Sequence, residues 1–417
     1  MPLLRTAVLA VILTAGAAVS VSAGQSTSPL LVDRDMSAGA GAVLMATAGE
    51  ALARAENRVV PHRLFEERGV GRRAANVTYR LGRFLFFDAP QEKFLMVVNH
   101  ELFGHGARLR ERFDGPIGYT IRMPEPYGPG GASTIFAFDR EPSPPERLSV
   151  HAGGMETSGV AADVVATRAL SRGVMTPRDA LRYVEFELDT LSYVLGMHDD
   201  GEEPGHDVHD FLETYNGWAA RTGGAPLTPR TLKRQALVSF ANPMIAYAVW
   251  GIGRYLATGE DASPIPALTF GGVRYLPLMR YRLTPFGTEW ALVNELGGSM
   301  RPTQVELRVG RAPSVRPWGL SVRHRELPAW GEWTIDLGVA VWRQPRLLET
   351  GGPVRLDTPF GGEVRGRLER PLVPVWFSTQ KASLIVDLGA KSEGFVPGEP
   401  LAAGPVVRAG IGLPLAR

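Results

Sequence analysis

No cysteine occurs in the 417 residues, which excludes a disulfide scaffold, a Cys-ligated zinc ribbon, an iron–sulfur site and a thiol nucleophile together. Any metal site must therefore rest on histidine and carboxylate. An excess of one charge sign is lacking too: 45 Lys and Arg stand against 43 Asp and Glu, so the electrostatic footprint of a nucleic-acid binder is missing. The composition is not that of a helix bundle, because 48 glycines and 33 prolines imply many turns and a β-rich portion. An apolar fraction of 44% suffices for a packed core, and the length suits two domains.

Residues 1–23 read as a secretory signal peptide. Arg5 precedes an apolar stretch from Ala7 to Val21, and Val21-Ser22-Ala23 offers a small-residue cleavage point. Export of a cysteine-free chain points to a bacterial cell envelope.

From 24 to 260 the pattern is mainly helical. Thr176-Pro177 and Thr228-Pro229 pair a hydroxyl cap with proline at the first helical position, and Asp88 precedes Pro90 in the same way. These signals predict helices over roughly 37–56, 90–112, 145–171, 177–196, 207–221 and 229–257. Between the second and third, Ile117 to Asp139 reads as a hairpin, two β-prone pieces around a Pro/Gly-rich turn. Ala236 to Leu256 carries one charge, Arg254, and approaches membrane-spanning length. Asn242-Pro243 should kink it, and we read it as a buried helix leading into the β portion. Used as a span, it would instead make the chain an intramembrane protease.

Beyond Asp261, segments such as Trp333–Trp342, Ala382–Lys391 and Pro405–Leu415 alternate apolar with polar or small residues. Period two predicts about eight strands with unlike faces. Six of the eight tryptophans lie here, and aromatics near strand ends are a feature of outer-membrane barrels. The chain departs from such barrels in ending on Arg417 rather than on an aromatic. A soluble sandwich or lipocalin-like barrel is the alternative. The expected fold is thus α+β, a helical zincin-like catalytic domain over 24–260 followed by an antiparallel β-barrel over 261–417.

The chemistry concentrates in His100-Glu101-Leu102-Phe103-Gly104-His105. Two histidines with a glutamate after the first is a zinc-hydrolase arrangement, in which the imidazoles bind Zn2+ and the glutamate polarises the metal-bound water. Histidines four apart share a helix face, whereas five apart they diverge by about 140°. A π-bulge restores a common face, and Gly104 removes a side chain where the helix must widen. Alternatively Glu101 and His105, four apart, form the metal pair.

HELFGH resembles the HELLGH signature of the dipeptidyl-peptidase III family of zinc exopeptidases. That resemblance spans six residues and implies His100 and His105 as ligands with Glu101 as catalytic base. It does not extend to that family's fold or dipeptidase activity, since this chain is shorter and adds a β-rich tail. The region Ser149–Leu170 resembles the glutamate-ligand zincins, which place a third ligand on a downstream helix. Glu156, following Gly153-Gly154 and preceding Thr157, Ser158 and Gly159, is the expected third ligand, the small neighbours permitting close helix approach. Asp163, two turns further on, is a candidate to orient a ligand histidine. His151 is a candidate oxyanion donor, with capping or metal ligation as its other readings. Tyr119 and Tyr127 are rival donors.

The run from His198 to Asp210 is rich in acids and imidazoles. That density could hold a second metal, but the Gly and Pro content and the irregular ligand spacing read as a solvated loop, with a lid role over the site, entering a helix capped by Asp207.

The function expected is that of an envelope zinc metallopeptidase acting on a peptide or protein, anchored among outer-membrane lipids by its barrel, with the catalytic domain facing the periplasm or enclosed in the barrel. The competing expectation is a non-catalytic barrel with a helical plug. No specificity pocket can be read from the residues.

Overall fold

The computed structural model describes residues 27–66, 69–198, 205–298, 301–347, 356–374 and 381–414. The signal-peptide stretch 1–23 and loop residues 199–204 lie outside them. The helices run in order as α1 (Ala38–Val59), α2 (Val70–Arg83), a π-helical turn (Phe84–Asp88), α3 (Ala89–Val98), a second π-helical turn (Asn99–His105) and α4 (Gly106–Arg112). There follow α5 (Pro144–Arg172), α6 (Pro177–Glu187), α7 (Asp189–Gly196), α8 (Asp207–Thr222), α9 (Pro229–Ala236), a 3-10 turn (Leu237–Ala241) and α10 (Pro243–Thr258).

Local chemistry accounts for most of these boundaries. Thr176 and Thr228 accept from the backbone of Asp179 and Thr231 and are each followed by proline. Ser143 and Glu146 form a reciprocal capping box ahead of the long α5, which ends on Gly173 at φ 74°, a left-handed cap that suits glycine. Asp88 does not act as the cap its spacing suggested. Helical backbone runs through it, and its carboxylate turns to Arg178 and Arg83. Asn242 caps α10, and the break before Pro243 bends the segment by 64°. No single described helix is long and apolar enough to cross a membrane.

The strands are β1 (Ser28–Val32), β2 (Ile117–Ile121), β3 (Ala132–Phe136), β4 (Val174–Met175), β5 (Ser263–Pro264), β6 (Leu268–Phe270) and β7 (Val273–Thr284). They continue as β8 (Gly287–Gly298), β9 (Thr303–Arg311), β10 (Trp318–Pro328), β11 (Thr334–Arg343), β12 (Phe360–Pro374), β13 (Lys381–Lys391) and β14 (Gly404–Leu413). β2 and β3 pair as the expected hairpin, with Tyr119 opposite Thr134. One ten-stranded antiparallel sheet has the order β1-β14-β13-β12-β11-β10-β9-β8-β7-β6.

This sheet corrects the division by sequence in two ways. Nine of its strands lie beyond Asp261, where about eight were expected, and the tenth, β1, comes from the helical half, pairing Ser28 with Leu413 and Val32 with Ala409. Among the described residues no ladder joins the edge strands β1 and β6, so a closed barrel is not seen. Instead α1 packs on β1 and on α5, and α5 packs on β7.

Helix α5 sits against the inner face of the sheet. Its alanines Ala161, Ala162, Ala166 and Ala169 share a core with Leu276, Leu278 and Val293, small side chains allowing a close approach to the strands. Polar ties accompany it: Thr167 donates to Glu295 at 3.0 Å and Asp163 pairs with Arg280.

Two buried carboxylates brace the helices. Glu50 on α1 takes Ser28, Arg54, Arg168 and Arg172, and Glu146 takes Arg112, Arg140 and the Ser143 backbone. Burial alone would raise both pKa values. For Glu50 the Arg168 and Arg172 charges, and for Glu146 hydrogen bonds from Arg140, Ser143 and Arg112, outweigh it and hold each at about 2, below the ordinary 4.5. A folded pKa below the unfolded one adds stability above pH 4.5 that is lost as pH falls toward 2. Urea unfolding midpoints should therefore drop across that window. A Glu50→Gln/Glu146→Gln variant should start less stable at pH 7 and decline less steeply, and an unchanged slope would contradict the assignment.

Candidate metal centre

The second π-helical turn coincides with the motif. The Gly106 N–H bonds to the Glu101 carbonyl, five residues back, so the turn is wide enough for side chains five apart to face the same way. The His100 and His105 rings accordingly lie 4.9 Å apart between centroids, at 64°. Close helix contact maintains this. A Cβ on Gly104 would stand 2.4 Å from Gly154 Cα, and one on Gly154 would stand 2.2 Å from His100 Nε2. Only glycine fits at either place without displacing backbone or ring.

Each imidazole is anchored through Nδ1. His100 Nδ1 bonds Asp189 Oδ2 at 2.8 Å, and His105 Nδ1 bonds the Val150 carbonyl at 2.6 Å. Both rings thereby direct Nε2 to one place, the arrangement found behind metal-ligating histidines. Asp207, the first residue of α8, meets them there: its Oδ2 lies 3.1 Å from His100 Nε2 and 3.2 Å from His105 Nε2. The three ligand atoms all fall within 4.8 Å of one another. An ion 2.0–2.2 Å from each ligand at tetrahedral angles would set ligand atoms about 3.3 Å apart, so the spacing fits. Tyr193 stacks on the other face of His100, centroids 4.9 Å apart and 15° from parallel.

The electrostatics match a site that exchanges protons for an ion. Burial would depress both histidines. Tyr193, Asp189 and Asp207 outweigh it at His100, and Asp207 does so at His105, so both pKa values lie above the imidazole norm. Burial would raise Asp207, but the two histidines hold it well below the carboxylate range. A cation bound there would displace such protons.

Glu101 is buried beside this cluster, and Thr134 of β3 donates to its Oε2 at 2.6 Å. His151, on α5, has its pKa pushed down to about 4 by burial, with His105 and Arg147 adding to burial and Asp207 opposing it. It is therefore neutral at pH 7.

Two expected residues are placed elsewhere. Glu156 does not reach the histidines: its Oε2 takes Arg108 Nε at 2.9 Å, and its Oε1 takes Arg108 Nη2 and the Gly398 N–H. Asp163 pairs with Arg280 and Arg282 on β7, and Asp189 and the Val150 carbonyl do the orienting expected of it. The Tyr119 hydroxyl accepts from Arg110 at 2.7 Å, and Tyr127, exposed, donates to the Phe86 carbonyl. Asp207, read from sequence as a cap, makes no cap bond: the N-cap position is His206. Asp207, Asp189, Thr134 and Tyr193 were the residues that sequence reasoning missed. The density of acids and imidazoles around Asp207 was the one available signal.

Comparison with protein-family models, with curated proteins and with solved structures finds no match to this chain.

Three substitutions separate the two possible third ligands. Asp207→Ala should abolish tight zinc binding, and Asp189→Asn should weaken it about 10–100-fold. Glu156→Gln should retain zinc but lose up to about 3–5 kcal/mol of stability, because buried Arg108 keeps only Glu111 as a counter-charge. Metal analysis after dialysis and urea unfolding read these outcomes. Zinc lost from the Glu156 variant and kept by the Asp207 variant would return the ligand role to Glu156.

Proposed function

We propose that the protein is a zinc-dependent hydrolase, and specifically a peptidase, with His100, His105 and Asp207 as metal ligands and Glu101 as general base. The supporting observation is the convergence of two Nε2 atoms and one Oδ2 at ligand spacing, with both Nδ1 atoms already engaged. A zinc ion bound there would supply Lewis acidity, acidifying a water and polarising a carbonyl.

The protein groups then divide the work. Thr134 holds Oε2 of Glu101, leaving Oε1 to take a proton from the attacking water and return it to the leaving nitrogen. His151, neutral at pH 7 with its pKa near 4, is suited to donate an N–H to the developing oxyanion. Among the described residues the hairpin β2–β3 pairs with no third strand, and its edges beside Glu101 would let an extended peptide pair its backbone. This favours a peptide over a compact small-molecule substrate.

A second reading, a helical plug with a structural metal, draws on the seating of α5 against the inner face of the sheet through Asp163–Arg280 and Thr167–Glu295. Glu101→Gln decides between them. It should bind about one zinc per chain as the wild type does and lose about 10²–10⁴-fold in peptide hydrolysis. A zinc-loaded wild type that cleaves no member of a peptide library, yet loses thermal stability on chelation, would establish the plug.

A further inference from the structure

The polarity of the sheet is inverted from β9 to β14. On the inner face Glu306, Arg308, Asp387 and Arg408 are buried and Arg365 is partly buried, and they are paired, as in Arg282–Glu306, Arg365–Asp387 and Arg408–Glu399. On the opposite face Leu307, Val339, Val364, Leu388, Val407 and Ile411 are exposed. They form continuous rows, with Val339 opposite Val364, Leu388 opposite Val407 and Ile411 opposite Leu384. A one-sided sheet in water puts its apolar face on the core and its charges outside. Contiguous exposed apolar area of this extent marks an interaction surface.

Three features select acyl chains as the occupant. The strands β9 to β14 are 9 to 15 residues long, and a tilted membrane strand needs about 9–11. Outward-facing cations stand at strand ends with aromatics: Arg343 lies over Phe360, which packs on Trp318, and Arg370 lies over Trp333 beside Trp330. That is the girdle pattern of a membrane sheet. The two ends also differ. The two longest connections, 344–359 and 392–403, leave the Trp318 end together with the short 285–286 and 312–317, and 299–302, 329–333 and 375–380 leave the other.

The metal cluster belongs to the Trp318 end. Ser143 donates to the Leu347 carbonyl, Arg108 to the Glu399 carbonyl, and Glu156 accepts from Gly398, so Leu347, just beyond β11, and the connection 392–403 are tied to α4 and the start of α5. Outer-membrane sheets keep short turns on the periplasmic side and long connections outside. We propose that the bare face of β9–β14 contacts the acyl chains of a lipid bilayer, and that the long connections hold the metal cluster at its outer rim, facing the cell exterior.

The natural absence of cysteine permits a direct test on the full chain. Single-cysteine variants Leu388→Cys and Val339→Cys, facing outward, and Ser321→Cys, facing inward, would carry an environment-sensitive probe. In vesicles of phosphatidylethanolamine and phosphatidylglycerol with brominated acyl chains, the first two probes should be quenched several-fold more than the third. In intact Gram-negative cells, a large impermeant maleimide should label Arg346→Cys and not Glu332→Cys. Outward probes that remain in water, with the chain monodisperse without detergent, would overturn the lipid contact. Self-association through that face without quenching would overturn it in favour of a second copy. The reverse labelling pattern would overturn the outward placement.

Discussion

Backbone contact between Gly104 and the Gly153–Gly154 step holds the centre of this molecule together. Because neither helix presents a side chain there, α5 approaches the π-helical turn closely enough for the Val150 carbonyl to reach His105 Nδ1 at 2.6 Å. The same approach lets Thr157 donate to the Phe103 carbonyl at 3.0 Å, satisfying one of the backbone groups that the wide turn leaves over. Ring direction, helix spacing and turn type are therefore one constraint. Adding a methyl group at Gly154 would disturb all three.

From that contact a set of buried ions extends toward the sheet. Arg108, on the helix that follows the motif, joins Glu156, Glu111 and the Glu399 carbonyl. Glu399 in turn binds Arg408 and Arg365. Charges so deep are retained only when every one is matched, since removing a single partner leaves an unsolvated ion. This explains why Glu156, although only six residues beyond Val150 on the same helix, does not join the two histidines. Its charge is committed to tying the helical part to the connection between β13 and β14.

Local rules made much of this legible. Hydroxyl–proline pairs located α6 and α9, the Pro/Gly turn located the β2–β3 hairpin, and the five-residue spacing of His100 and His105 called for the π-helical turn. The failures share a cause, which is distance along the chain. Asp207 is separated from His105 by 102 positions, and nothing in its own neighbourhood distinguishes an acid that meets two histidines from a loop acid. Glu156 carried the better local context for ligation, with small residues on both sides, yet that smallness serves the helix contact and its carboxylate serves Arg108. The short β1 has no strength as a strand alone; its identity comes from β14, at the far end of the chain.

That last pairing has a consequence for biosynthesis. Val32 finds its partner in Ala409, and α1, which follows directly, packs on both β1 and α5. A chain emerging from the ribosome or a translocation pore N-terminus first must keep β1 unpaired until β14 is delivered. A product truncated within β14 would leave the β1 edge open and exposed to quality-control proteolysis.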